Sequence, residues 1–253
     1  MPIVDLYKKI FSCENFSLKE RILNAPLSRE ETEKIWKKYF RFTPLKLQLP
    51  LKKYGLDKKK VLDVGSAWGE FLIHFGADSK GVEVDDKEVK FSHSLGLNVE
   101  QYNIEDEWRE AENSFDVVWF SNVLEHMIAP HAVLRNFHKT LKSEGLLFVR
   151  VPTIPSNRLF IMLNKLLLGF WGYKAQQHVN AFTRRTLEFT IERAGFKILE
   201  SNVFIPPIGW LNFLLNLFLK DALSFVTVVA RKTEFSYSTK RPAAHNPNWI
   251  KNQ

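Results

Sequence analysis

A chain of 253 residues, 45% hydrophobic and 25% charged, has the make-up of an ordinary globular protein with a sizeable core. Its single cysteine, Cys13, excludes an internal disulfide and fits a reducing, cytoplasmic compartment. The opening Met1–Lys9 lacks a signal-peptide core, and no uncharged apolar run reaches the roughly 18 residues a membrane-spanning helix needs. The net charge of +8 is unevenly spread. Residues 1–60 carry 15 Lys and Arg against 7 Asp and Glu, residues 61–125 carry 4 against 15, and residues 126–253 carry 17 against 6. The acidic middle suits a cationic ligand and suits a phosphate-rich one poorly. The basic flanks can face anionic lipid, nucleic acid or water.

Residues 1–57 read as a helical appendage. Ser28 and Glu31 have the spacing of a capping box, and Ile35, Trp36, Tyr39 and Phe40 follow at helical intervals. A further helix opens at Pro44 and ends near Tyr54-Gly55. From Val61 apolar runs alternate with helical stretches, the pattern of a parallel α/β sheet. Strands are predicted at 61–65, 80–84, 98–102, 115–120 and 145–151, with helices at 68–76, 86–95 and 130–142. Two apolar helical insertions follow, near 156–172 and 207–220, both too short to cross a bilayer. They can cap the core, wall a lipophilic pocket or lie in a membrane interface. Between them Thr183 caps a helix that stops at Gly195. Strands at 196–203 and 223–231 close the pattern, and residues 233–253 form a polar, aperiodic tail.

The organising stretch is Val61–Phe71. A buried strand runs into Gly65, and the chain is predicted to resume as a helix at about Trp68. This is not the dinucleotide fingerprint, which needs glycine where the chain has Ala67 and Glu70. The spacing is Gly65-x-x-x-Gly69, preceded by Asp63, whose carboxylate would repel a pyrophosphate and could hold an ammonium group.

Asp63-Val-Gly65-Ser-Ala-Trp-Gly69 resembles the first motif of the class I S-adenosylmethionine (SAM) methyltransferases. The resemblance continues through Gly81-Val-Glu83, Phe115-Asp-Val-Val, Asn122-Val-Leu-Glu125-His126, Leu141–Phe148 and His178-Val-Asn-Ala-Phe182. It is nearest to the small-molecule branch that includes the ubiquinone-pathway O-methyltransferases. It implies an α/β, Rossmann-like seven-stranded sheet, mostly parallel with the last strand antiparallel, over residues 58–232. The leading helices would then lie over the cleft as a lid or pack into the core.

The resemblance also assigns roles. Asp63, Gly65, Ser66, Gly69, Glu83, Asn103, Ile104 and Ser121 would hold SAM, Glu83 on the ribose hydroxyls and Asn103 and Ile104 around adenine. His178, then His126, are candidate general bases. Relatives with a divalent metal use an acid where this chain has Asn122, so no metal is expected. Most relatives carry glycine at the position of Ala67. The expected activity is methyl transfer to a small or lipid-like acceptor, at oxygen. The alternatives are a scaffold or membrane-surface protein without catalysis, and a nucleic-acid or protein methyltransferase. Nucleic acid is disfavoured because the basic residues are not interleaved with aromatics.

Overall fold

The computed structural model describes residues 16–41, 43–153, 178–203 and 225–234. The expected apolar insertions, and the polar tail beyond residue 234, lie outside them. Ahead of the sheet come three helices, α1 (Phe16–Leu23), α2 (Arg29–Ile35) and α3 (Thr43–Tyr54). The Ser28–Glu31 capping box forms as the sequence anticipates. At Trp36–Phe40 the helix widens into a π-turn, closed by the Arg41 amide on the Trp36 carbonyl.

Five strands, β1 (Val61–Val64), β2 (Lys80–Glu83), β3 (Val99–Gln101), β4 (Phe115–Ser121) and β5 (Leu141–Pro152), run parallel. Then β7 (Phe225–Lys232) lies antiparallel between β5 and the edge strand β6 (Phe196–Val203). The order β3-β2-β1-β4-β5-β7-β6 puts the topological switch point between β1 and β4. Helix α4 (Asp86–Ser94) connects β2 to β3, α5 (Pro130–Thr140) leads into β5, and α6 (Arg184–Arg193) precedes β6. Asp85 caps α4, and Thr183 caps α6 with Thr186 in a reciprocal box. Among the described residues no helix is long and apolar enough to cross a membrane.

Alternation along the strands feeds two cores. Leu62, Val64, Phe120, Leu147 and Val149 pack with Phe137 of α5 and Leu187 of α6 on one face. Val61, Trp119 and Phe148 pack with Leu47 of α3 and Phe75 on the other. A third cluster joins the leading helices to the domain: Ile22, Trp36 and Phe40 meet Phe91 and Leu95, with Trp68 at its margin. The leading helices therefore share a core with α4 and the loop after β1. Lys87 of α4 adds an ion pair with Glu31, 2.7 Å long and half-exposed, worth little at such a position.

The helix expected at 68–76 does not form. After β1 the chain turns through Gly65, Ala67 and Gly69, all at positive φ (70°, 47° and 79°), and only a 3-10 turn, Leu72–His74, follows. Left-handed residues at alternate positions break right-handed helix geometry. Gly76 then passes so close to the Lys59 backbone that a Cβ would come within 2.4 Å of its carbonyl oxygen.

Candidate active site

The carboxyl ends of β1, β2 and β4 lie side by side at the switch point, and they carry Asp63, Gly65, Ser66, Gly69, Glu83 and Ser121 of the residues expected to hold a cofactor. The Gly65 and Ser66 amides both donate to the Val82 carbonyl, at 2.8 and 3.1 Å, pinning the loop to β2. The Ala67 amide donates to Glu83 Oε2 at 2.9 Å, and the Gly69 amide donates to the Ser66 carbonyl. These four N–H groups are used inside the protein, so the loop does not present them as a phosphate cradle. Gly65 is required sterically as well: a Cβ there would lie 2.3 Å from Val123 Cγ2.

The lining is acidic. Asp63 is 1% exposed, and burial first, then Glu70 and Glu83, raise its pKa well above the carboxylate range. Glu88 is pushed up to about 7 by desolvation and by Glu83, Asp85 and Glu70. Glu70 and Glu88 belong to this cluster although sequence reading overlooked them. Their only signal was the acidity of the middle third. Glu83 Oε1 accepts from the Val84 and Asp85 amides at 2.7 and 3.1 Å. With the Ala67 contact, three of a carboxylate's roughly four acceptor positions are filled.

Asp63 Oδ2, Ser66 Oγ and Ser121 Oγ are all buried without a hydrogen-bond partner. Native interiors rarely tolerate such atoms outside a site that a ligand or water completes. The adenine-side pair is placed differently. Asn103 is exposed, with Oδ1 accepting from the Glu105 amide at 3.1 Å, while Ile104 is 6% exposed and built into the main core. Ile104 can offer a ligand little more than an edge. The neighbouring Glu105 accepts from the Ile128 and Ala129 amides, supplying at the start of α5 an acceptor that its N-cap residue, Ala129, lacks.

Beyond β4 a second group assembles. Glu125 and His126 sit in the 3-10 turn Leu124–His126, and the Glu125 carbonyl accepts from the Val179 and Asn180 amides, 2.9 Å each. Asn180 Nδ2 also donates to the Met127 carbonyl. These bonds bring His178 against His126, rings edge to face with centroids 4.8 Å apart. The His178 pKa is lowered by burial and by His126, and Glu125 is pushed up to about 7 by desolvation. One donor atom from each of Glu125, His126 and His178 lies within 4.8 Å of the others. Asn122 does not join them: it is exposed, at φ 58°, its amide donating to the Arg150 carbonyl. The sequence offered the two histidines as separate candidates and gave no sign that they meet.

This architecture has relatives. A family model described as a methyltransferase domain matches residues 29–201. A ubiquinone biosynthesis O-methyltransferase from Glaesserella parasuis is 29% identical over 150 residues, covering 49% of this chain and 64% of that protein. The Pseudomonas syringae protein of the same name is 33% identical over 128 residues, covering 45% and 55%. The chain thus spans less than two thirds of the length of either relative. Crystal structures of SAM-dependent methyltransferases from Archaeoglobus fulgidus and Mesorhizobium loti share the fold. Their TM-scores are 0.55 and 0.52 at 19% and 18% identity, covering 79% and 70% of this chain and 99% and 92% of theirs. With a family match over more than half its length, the chain belongs to the methyltransferase-domain family, and its sheet order is the one that family's fold implies.

Proposed function

We propose that this enzyme transfers the SAM methyl group to a hydroxyl oxygen of a small or lipid-like acceptor, with His178 taking the hydroxyl proton and His126 as the second candidate. The observation that carries this reading is the histidine pair beyond β4, beside two exposed apolar residues, Ile128 (81%) and Val179 (62%). The lowered pKa leaves the His178 ring neutral near pH 7, with a lone pair for the proton. The acceptor oxygen attacks the methyl carbon as the carbon–sulfur bond breaks, leaving neutral S-adenosylhomocysteine and a protonated ring. The sulfonium already activates the methyl group, so the protein mainly aligns the reactants and excludes water.

Asp63, Gly65, Ser66, Gly69, Glu83 and Ser121 hold the cofactor in this reading, and the cluster of carboxylates attracts its ammonium and sulfonium charges. Asn103 and Ile104 flank the adenine. The names of the ubiquinone-pathway relatives support an oxygen acceptor with a lipophilic tail. Cys13 as the single cysteine supports a cytoplasmic setting, and the basic flanks support peripheral contact with anionic membrane.

The test is turnover of a prenylated dihydroxyphenol by purified enzyme. His178→Ala lowers kcat by about 10²- to 10⁴-fold while the Kd for S-adenosylhomocysteine stays unchanged. Full turnover in both His178→Ala and His126→Ala would contradict the base assignment.

A further inference from the structure

We propose that Glu125, His126 and His178 form a divalent-metal site of the two-histidine, one-carboxylate type, suited to zinc or a similar borderline ion. The inference rests on the reading of this corner as the acceptor side of the cleft, but ion binding is measurable without methyl transfer.

Three observations converge. Each residue contributes one donor atom, all within 4.8 Å of one another. Glu125 is 1% exposed, and its Oε2 is buried without a hydrogen-bond partner. A buried carboxylate oxygen left so carries a desolvation penalty that a bound cation removes. The backbone already holds the two segments together, through the Val179 and Asn180 amides on the Glu125 carbonyl and the Asn180 side chain on Met127. Ligation therefore needs only side-chain rotation. Donors on a tetrahedral zinc stand about 3.3 Å apart, against 4.0 Å between His126 Nε2 and Glu125 Oε1.

Donor chemistry selects the ion. Two imidazoles and one carboxylate suit zinc-like cations, whereas magnesium prefers an octahedral shell of oxygens. Both histidines are only partly buried, and three protein donors leave a tetrahedral ion a fourth position for an outside ligand. When bound there, such an ion supplies a Lewis acid that lowers the pKa of a hydroxyl it contacts. Ligation and proton abstraction are alternative uses of the same ring nitrogens. The sequence reading stopped at Asn122 as a missing ligand; His178 occupies the third place instead.

The experiment is calorimetric titration of the tag-free, metal-stripped full chain with Zn²⁺ and with Mg²⁺, plus the visible spectrum of the Co²⁺ form. One Zn²⁺ site is expected, at least a hundredfold tighter than Mg²⁺, with the intense absorption of four-coordinate Co²⁺. Glu125→Gln and His178→Ala should each weaken Zn²⁺ at least tenfold while S-adenosylhomocysteine still binds, which certifies their fold. His131→Ala, at a histidine bonded to the Arg193 carbonyl away from the trio, should change nothing. Absence of a Zn²⁺ site, affinity indifferent to both substitutions, or a Co²⁺ spectrum no different from the hydrated ion would overturn the proposal. Each of these outcomes leaves cofactor binding and turnover to be judged separately.

Discussion

Single residues carry the strain and the charge of the loop after β1. Ala67 sits at φ 47°, a left-handed conformation that glycine adopts freely and that costs an alanine about 1 kcal/mol. Ala67→Gly should therefore stabilise the protein by about 0.5–1 kcal/mol, part of the relief being offset by unfolded-chain entropy. At this size that is a rise of about 2 °C in Tm, read by calorimetry; a fall in Tm would show that the methyl group packs usefully. Asp63 is held in the opposite kind of tension, a carboxyl buried among other carboxyls with one oxygen unpartnered. Asp63→Asn should raise the thermal stability of the cofactor-free enzyme near neutral pH and weaken SAM binding at least tenfold. Lower stability with unchanged affinity would remove Asp63 from the site.

At the scale of elements, the central strands were legible as continuous apolar runs because both of their faces are buried, and the helices behind them because each had one face to bury. The 130–142 helix and the 145–151 strand were right in kind but met at the wrong place. Here α5 stops at Thr140 and β5 begins at Leu141, because a register shift lets Leu141 pair with Phe115. The failure at 68–76 is more instructive. Trp68, Phe71, Leu72 and Phe75 have helical spacing, yet they serve two clusters: Trp68 joins Phe91 in one, and Leu72 and Phe75 join Trp119 in the other. Left-handed turns at 67 and 69 make that division, and periodicity does not encode them. The meeting of His126 and His178 was illegible for another reason: residues 52 apart in sequence are joined by backbone bonds to one carbonyl. Helix α5 shows the same kind of borrowing, its N-terminus being capped across the fold by Glu105. Glu105→Ala should cost about 1 kcal/mol in urea denaturation; unchanged stability would mean water replaces the cap without loss.

Across the described residues, buried carboxyls gather where β1 and β2 end, and this sets how stability responds to pH. Asp63, Glu88 and Glu125 all have folded-state pKa values above their unfolded ones, the latter two at about 7. The folded protein thus holds protons that the unfolded chain releases near pH 4–4.5. Their contribution is full below that range and lost as pH rises towards about 7. Glu31, lowered to about 2, acts in the reverse sense only as pH falls below about 4.5, and the lowered His74, His138 and His178 oppose the decline in part, up to about pH 6.5. The Tm of the cofactor-free enzyme should therefore decline from about pH 5 to pH 7.5, and saturating SAM should shrink the decline by placing positive charge beside Asp63. A flat profile without cofactor would contradict the electrostatics of the cleft. The claim on which the account depends is that SAM lies across the Gly65–Gly69 loop with its ribose on Glu83, the carboxylate that already grips the Ala67 amide. Calorimetric titration with S-adenosylhomocysteine tests it most directly. The account expects one site of micromolar Kd, weakened at least tenfold in Glu83→Gln; no binding to the native chain, or full affinity in that variant, would contradict it.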